Sequence, residues 1–286
     1  MAMKRRILPP LLLLLLTASC QRDIPSAEPV RGDALVVEGW IDEGGHPFVS
    51  VTNTLLLPDE PQEVSALAGL MVRDAEVYVS DGSQTVQLTG GISADFFPPY
   101  LYTTDKITGE VGKTYTLTVH YDGMTATAET TIPEKTELES LETVLTEDGV
   151  YRIFAGFTPE SDQCYGFFSR GSEDLFGYLP VFLGFINGAD VSGPQTVSVT
   201  RGSGLTSIKE YKPGYEAGET VLIRFCTMNP EMFRFWDVFQ QLTGISFFLT
   251  YPNHFENLPS NMTGAYGYWA GYGTASYSVT LPEPEV

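Results

Sequence analysis

The stretch KTYTLTVHYDGMTATAETTI (113–132) decides the fold class, because it carries the clearest structural pattern in the chain. Tyr115 and Leu117 alternate with threonines, which is typical of a β-strand that buries one face. Asp122-Gly123 then interrupts the alternation, and this dipeptide favours the tight turn of a β-hairpin. The stretch therefore predicts two antiparallel strands joined by a two-residue turn.

Short strand-like segments with turn signals between them extend this pattern on the N-terminal side of the hairpin. They are ALVVEGWI (34–41), PFVSVTNT (47–54), AEVYVSDG (75–82) and TVQLT (85–89). About seven short strands within about a hundred residues are typical of an immunoglobulin-like β-sandwich. We therefore expect such a sandwich over residues 34–133.

Strand-like segments resume beyond residues 133–137, where proline and charged residues mark a domain boundary. They are GVYRIFAGF (149–157), QCYGFFSR (163–170), QTVSVT (195–200), ETVLIRFC (219–226) and TASYSVT (274–280). One amphipathic helix interrupts them near residues 230–242, with Asn229 as its cap and Pro230 in its first turn. The chain is therefore predicted to be all-β (mainly β), with a second β-rich domain over residues 138–282 that carries this one packed helix.

The first twenty residues follow the plan of a secretory signal peptide. Lys4, Arg5 and Arg6 precede a ten-residue apolar run, which is followed by small residues before Cys20. A helix needs about 20 residues to cross a bilayer, so this run is too short to span one. We expect cleavage of the signal peptide 1–19 and lipidation of Cys20, as in a bacterial lipoprotein, with residues 20–33 as a tether. The alternative is an ordinary cysteine after a conventional signal peptide.

The chain is strongly acidic, with 36 Asp and Glu residues against 16 Lys and Arg and a net charge of −20. Such a surface repels nucleic acid, so no nucleic-acid partner is expected. Proteins, neutral ligands and cations fit this charge better.

Two cysteines, Cys164 and Cys226, follow Cys20 in the sequence. The compartment of an exported protein permits a disulfide between them. Their strand-like, apolar surroundings favour instead two separately buried thiols, because free cysteine often serves as a small core residue.

No motif in the sequence predicts catalysis. The chain has neither the Gly-x-Ser-x-Gly elbow of α/β-hydrolases nor a glycine-rich phosphate or dinucleotide loop. The three histidines, His46, His120 and His254, lack the spacing of metal ligands. We therefore expect no catalytic residue, no metal and no cofactor. A glycoside hydrolase stays open as an alternative, because that chemistry needs only a carboxyl pair. Candidate acids in turns are Asp95, Glu110, Asp162 and Asp190.

Aromatic residues are concentrated between Glu231 and Tyr272. Those on the helix, such as Phe235 and Trp236, have the spacing of core residues. Those after the helix lie among glycines in a strand-like segment, where neighbouring side chains point to opposite faces, so at least one ring should face away from the core. We predict a ligand or partner surface from the second group, which consists of Tyr266, Tyr268, Trp269 and Tyr272.

Several of these segments resemble a family of Bacteroidota outer-membrane lipoproteins known only as domain of unknown function 4249. The segments are LVVEGWIDEGGHPFVSVT (35–52), VRDAEVYVSDG (72–82), ITGEVGKTYTLTVHYDGMTATAETTIP (107–133), the helix at 230–242 and LPSNMTGAYGYWAGYG (258–273). The resemblance implies an outer-membrane lipoprotein, often encoded beside TonB-dependent receptors. It favours exposure on the cell surface over the periplasmic face, and it carries no catalytic residues to transfer.

Together these observations predict a non-enzymatic, lipid-anchored lipoprotein of the outer membrane that assists a TonB-dependent transporter. It would capture a substrate, such as a glycan or a peptide, or dock against the receptor. The first alternative is a surface adhesion or fimbrial-type module, whose donor-strand exchange needs an open edge strand. The second alternative is a glycan or peptide hydrolase.

Overall fold

The computed structural model describes residues 34–54, 69–93, 96, 98–174, 177–202, 211–243 and 258–283. The predicted signal peptide 1–19, Cys20 with its tether, Asp95 and His254 lie outside the described residues. Fifteen strands and one α-helix are described, so the prediction of a mainly β chain is confirmed. The immunoglobulin-like sandwich over residues 34–133 stays a prediction.

The strands occur in two runs of the chain, one on each side of the predicted boundary. The first run is β1 (Leu35–Asp42), β2 (Phe48–Asn53), β3 (Glu76–Ser80), β4 (Thr85–Gln87), β5 (Thr89–Ile92), β6 (Tyr100–Thr103), β7 (Thr114–Tyr121) and β8 (Met124–Thr131). The second run is β9 (Ser140–Leu145), β10 (Tyr151–Phe157), β11 (Cys164–Gly171), β12 (Leu179–Asn187), β13 (Gln195–Val199), β14 (Thr220–Met228) and β15 (Tyr266–Thr280). The helix α1 (Pro230–Thr243) lies between β14 and β15.

The predicted hairpin is present as β7 and β8, which pair antiparallel up to Tyr121 opposite Met124. Its two turn residues both have positive φ, 45° at Asp122 and 76° at Gly123. Such a turn matches the right-handed twist of the flanking strands, and Asp and Gly tolerate it best. Local sequence is therefore sufficient to form this element.

The described strands form three sheets. An eight-stranded sheet has the order β12-β11-β14-β15-β1-β2-β6-β5, a four-stranded sheet the order β4-β3-β7-β8, and a three-stranded sheet the order β13-β10-β9. Neighbouring strands are antiparallel, with the exception of the parallel pair β1 and β15.

The long strand β15 belongs to both halves of the chain. Its residues 266–272 pair with β1, and its residues 273–280 pair with β14. The large sheet therefore runs through both halves, although the predicted bounds 34–133 and 138–282 assign β15 to the second half alone. Those bounds stay a prediction. The structure shows in addition that β15, the last strand of the second half, pairs with β1 of the first half.

Glycines in β15 let the connection between the halves pass close to the sheet. A Cβ on Gly273 would lie 2.5 Å from the carbonyl oxygen of Pro133, which is closer than side-chain carbons come in proteins. Hydrogen bonds hold the same connection, since the Leu138 N–H donates to the Tyr277 hydroxyl (2.8 Å) and the Thr136 N–H to Thr227 Oγ1 (3.2 Å). The segment predicted as a boundary is therefore bound to the large sheet.

The large sheet buries apolar side chains on both of its faces. On one face, Val37 and Trp269 pack against the four-stranded sheet, and Phe225 packs against the three-stranded sheet. On the opposite face, Phe168 and other side chains of the sheet contact the helix. Fully burying each large apolar side chain contributes about 1.5–3 kcal/mol, so these three clusters account for most of the driving force.

Helix α1 begins at Pro230, as predicted. Asn229 caps it, since its Oδ1 accepts a hydrogen bond from the Met232 N–H at 2.8 Å. Met232 and Phe235 are buried against the large sheet. Within the described part of the chain, no helix has the length and apolar character needed to cross a membrane.

Candidate functional site

A cavity of about 460 Å³ lies on the face of the large sheet that also carries helix α1. Strands of both halves line it, and pockets of this size at the junction of two modules are typical ligand sites. Eight of the fifteen described residues that line it are aromatic, so these walls are largely apolar. The aromatic residues are Trp40, Phe48, Phe96, Phe168, Tyr178, Trp236, Tyr268 and Tyr272.

Strand β1 forms the middle of the cavity floor. Successive side chains of a strand point to opposite faces, so Leu35 and Val37 enter the core between the large sheet and the four-stranded sheet, whereas Glu38 and Asp42 point into the cavity. Across the parallel pair, Glu38 lies beside Tyr268 and Asp42 beside Tyr272. The register of strands far apart in the chain therefore assembles the floor.

An aromatic cluster forms the wall on the β2 side. The Trp40 ring stacks on Phe48, with centroids 5.5 Å apart and an interplanar angle of 25°. The Phe96 ring lies 5.3 Å from Trp40 and 6.2 Å from Phe48. These separations lie in the range at which aromatic rings attract each other, so the wall holds its shape through its own contacts.

A second aromatic cluster forms the opposite wall, next to helix α1. The Trp236 ring contacts Phe168 at 5.1 Å and Tyr268 at 6.0 Å between centroids. Its indole Nε1 donates a hydrogen bond to the Tyr272 hydroxyl at 3.0 Å. Burial raises the pKa of Tyr268 and of Tyr272, so both phenols stay neutral at physiological pH.

An ion pair crosses the cavity from β14 to β1. The guanidinium of Arg224 lies 2.5 Å from Asp42 Oδ1, and the Thr274 hydroxyl donates to the same oxygen at 2.7 Å. Burial works to lower the pKa of Arg224, but Asp42, together with smaller contributions from Cys226, Tyr272 and Tyr178, acts in the opposite direction, and the pKa is raised. Arg224 also lies over the Tyr178 ring, with Cζ 5.4 Å from its centroid. Both charges are thus held in place.

Glu38 is the third charged residue among the described residues that line the cavity. Its side chain is exposed, and the exposed surface opens into a concave, largely aromatic space. This desolvation raises the pKa of the Glu38 carboxyl, because water stabilises the charged form best. Among the described residues, no hydrogen bond or ion pair reaches this carboxyl.

The four tyrosine and tryptophan positions predicted as a surface separate in the structure. Tyr268 and Tyr272 line the cavity, and Tyr266 is 42% exposed outside it. The expectation for Trp269 needs correction, because its indole is fully buried and donates from Nε1 to the Tyr115 carbonyl at 2.9 Å. Because side chains alternate along β15, Trp269 and Tyr268 point to opposite faces of the sheet. The strand pattern predicted that at least one of these two adjacent rings faces away from the core.

The helix aromatics also need one correction. Phe235 is buried, as the helical spacing predicted, and its ring lies 4.6 Å from that of Tyr268. Trp236 was expected in the core for the same reason, but it is only half-buried and lines the cavity. Helical spacing identifies the face of the helix that is turned towards the sheet. It does not show which residues of that face line a cavity instead of packing in the core.

The remaining candidates lie elsewhere. His46 Nδ1 lies 2.9 Å from the Ile107 carbonyl oxygen, and His120 is exposed beside Thr125. The described acids from the hydrolase alternative are all exposed; they are Glu110, Asp162 and Asp190. Across the described ranges, no group of three His, Cys, Asp or Glu side chains is arranged to hold a metal ion. Cys164 and Cys226 are buried free thiols, as favoured from the sequence.

Sequence reasoning missed the charged residues of the cavity. Glu38 lies within the apolar segment 34–41, and Asp42 directly follows that segment. Arg224 lies within the apolar segment 219–226. A charged residue can show that one face of a strand is not fully packed, when the other face of that strand is apolar. This signal could have pointed to the cavity.

The comparisons with known proteins bear on the family of the chain. No curated protein sequence matches the chain. The family model described as Domain of unknown function (DUF4249) matches residues 21–278, which is most of the chain. The resemblance noted above is confirmed at the level of this family, and the chain therefore belongs to the DUF4249 family.

Proposed function

We propose that this chain is a non-enzymatic lipoprotein that captures a small ligand for a TonB-dependent transporter in the outer membrane of a bacterium of the Bacteroidota. The aromatic cavity between the two halves of the chain carries the proposal. It has the size and the apolar walls of a small-molecule site, and a few polar groups, including Glu38 and Arg224, converge in it.

The carboxylates of the cavity favour binding over hydrolysis. Glycoside hydrolysis needs two carboxyl groups, one as an acid and one as a base or nucleophile. Among the described residues that line the cavity, the two carboxyl groups are those of Glu38 and Asp42. Asp42 is engaged by Arg224 and Thr274, so it is not free for either role. The proposal therefore assigns these groups to ligand recognition.

The location rests on the N-terminal sequence. A lipid on Cys20 holds the protein at the membrane, and residues 20–33 connect this anchor to the first strand. The family resemblance favours the outer surface. In this position the cavity would present a captured ligand to a neighbouring receptor.

The test begins with purification of the tagged protein from its native membrane in mild detergent. Mass spectrometry then identifies the co-purified proteins and the small molecules released on denaturation. We expect a TonB-dependent receptor at near-equal amount, together with a small molecule that Trp40→Ala loses and Tyr266→Ala retains. Tyr266 serves as the control because it lies outside the cavity. Recovery of neither a receptor nor a Trp40-dependent small molecule would rule out the proposal.

A second candidate function is a surface adhesion module. Strand β9 forms one edge of the three-stranded sheet, and its Val144 and Leu145 side chains are 45% and 57% exposed. An exposed apolar edge strand can accept a strand from another chain. Polymers on a native gel that Val144→Lys abolishes would support this candidate, and a monomer at all concentrations would exclude it.

A further inference from the structure

Glu38 gives the cavity an unbalanced negative charge. Of the three charged side chains among the described residues that line it, Arg224 and Asp42 pair with each other, and Asp42 also accepts from Thr274. Among the described residues, Glu38 has neither a hydrogen bond nor an ion pair. The net charge of the lining is therefore about one negative unit when Glu38 is ionised.

The groups around Glu38 do not compensate its charge. Its neighbour on β2 is Ser50, and its neighbour on β15 is Tyr268, whose phenol is neutral. Asp42 on its own strand is negative, and Arg224 on β14 is already bound to Asp42. The Glu38 carboxylate is therefore available to a cation that enters the cavity, because its side chain is exposed and no described residue pairs with it.

We infer that the cavity takes a ligand in which an ammonium or guanidinium group adjoins a flat or apolar part; this rests on the proposed ligand-capture function. The cation pairs with the Glu38 carboxylate on the floor. The apolar part lies between the two aromatic walls, around Trp40 and Trp236.

Three physical effects select this ligand class. An ion pair with Glu38 compensates the unpaired negative charge of the cavity lining, and such charge-assisted hydrogen bonds are the strong ones. Aromatic faces attract a cation within about 6 Å of the ring centroid. The net charge of −20 attracts cations to the protein and repels anions. A neutral sugar would stack on the same rings, but it would leave the charge of Glu38 uncompensated.

The test compares two probes that differ only in charge. Tyramine carries an ammonium group, and tyrosol carries a hydroxyl in its place. Isothermal titration calorimetry on the purified full chain in detergent gives both dissociation constants. We expect tyramine to bind at least about fivefold more tightly than tyrosol. Glu38→Gln should remove this preference and leave tyrosol binding unchanged, whereas the exposed control Asp162→Asn should keep it.

A measurement on the unaltered protein covers the case in which Glu38→Gln does not fold. Lowering the pH from about 7 to about 5 protonates part of the Glu38 population, because desolvation raises its pKa, so the preference for tyramine should shrink. Of the groups that face Glu38, Ser50 and Tyr268 stay neutral in this range, and Arg224 keeps its charge.

Three results would overturn the inference: equal or tighter binding of tyrosol, an unchanged preference in Glu38→Gln, or no binding of tyramine. Its failure is distinguishable from failure of the proposed function. A neutral molecule that co-purifies and depends on Trp40 would leave ligand capture standing and would exclude only the cationic class.

Discussion

The guanidinium of Arg224 and the carboxylate of Asp42 lie 2.5 Å apart, although 182 residues separate them in the chain. Strand β15 brings them together, because it pairs with β1 on one side and with β14 on the other. The two halves therefore meet through an ion pair at the cavity as well as through a shared strand. Any change in this contact should affect stability and ligand binding together.

Arg224→Met should lower the free energy of unfolding by about 2–4 kcal/mol. The substitution leaves Asp42 partly buried without its cation, and side-chain exposures of about 20% keep the loss below that of a fully buried pair. Chemical denaturation measures the change. Lys135→Met breaks the exposed pair with Glu137 and should cost less than about 1 kcal/mol. Equal losses in both variants would contradict a structural role of the Arg224 pair.

Asn261→Ala should destabilise the start of strand β15. The Asn261 amide donates to the Trp269 carbonyl and accepts from the Trp269 N–H, both at 2.9 Å, so its loss leaves two backbone groups unpaired. We expect a cost of about 2–4 kcal/mol, since each buried unpaired group costs about 1–3 kcal/mol. Asn261→Asp keeps the acceptor alone, so its unfolding midpoint should lie between those of the wild type and Asn261→Ala. If the unfolding midpoint of Asn261→Ala equalled that of the wild type, the two hydrogen bonds between Asn261 and Trp269 would not stabilise the strand.

Neither buried thiol should react in the native protein. Burial raises the pKa of Cys226 to about 11 and also raises the pKa of Cys164, so at about pH 8 neither forms the reactive thiolate. A maleimide reagent should label both cysteines only after denaturation without reductant. Two labels per chain of the mature protein fit free thiols and a blocked Cys20. Three labels would contradict lipidation, and no label would indicate a disulfide.

Asp81 should make stability depend on acid pH. Hydrogen bonds from Ser83, then from Gln84 and Lys113, hold the pKa of this carboxyl below its usual range. A folded-state pKa below the unfolded value stabilises the protein above about pH 4, and this stabilisation is lost as the pH falls further. Asp81→Asn should therefore lower the free energy of unfolding at neutral pH and approach the wild type as the pH falls towards about 3. The exposed control Asp105→Asn should change it by less than about 0.5 kcal/mol at any pH. If the free energies of unfolding of Asp81→Asn and the wild type differed by the same amount at every pH, Asp81 would not cause the pH dependence.

Local sequence was sufficient for the elements whose bonds are local. The hairpin at Asp122-Gly123 and the helix that begins at Pro230 were both predicted, because turn geometry, capping and periodicity involve residues a few positions apart. Alternation likewise identified most strands and showed that Tyr268 and Trp269 point to opposite faces.

Only the tertiary structure decided which strands are neighbours and what each face contacts. Alternation does not say that β1 pairs with β15 more than 200 residues later, because many strand pairs bury apolar faces equally well. That pairing buries Trp269, directs Tyr268 to the cavity and joins Arg224 to Asp42. The sequence by itself determined the mainly β class, the family and the expected export signal. The cavity and its unpaired Glu38 follow from contacts between distant segments, which no local pattern contains.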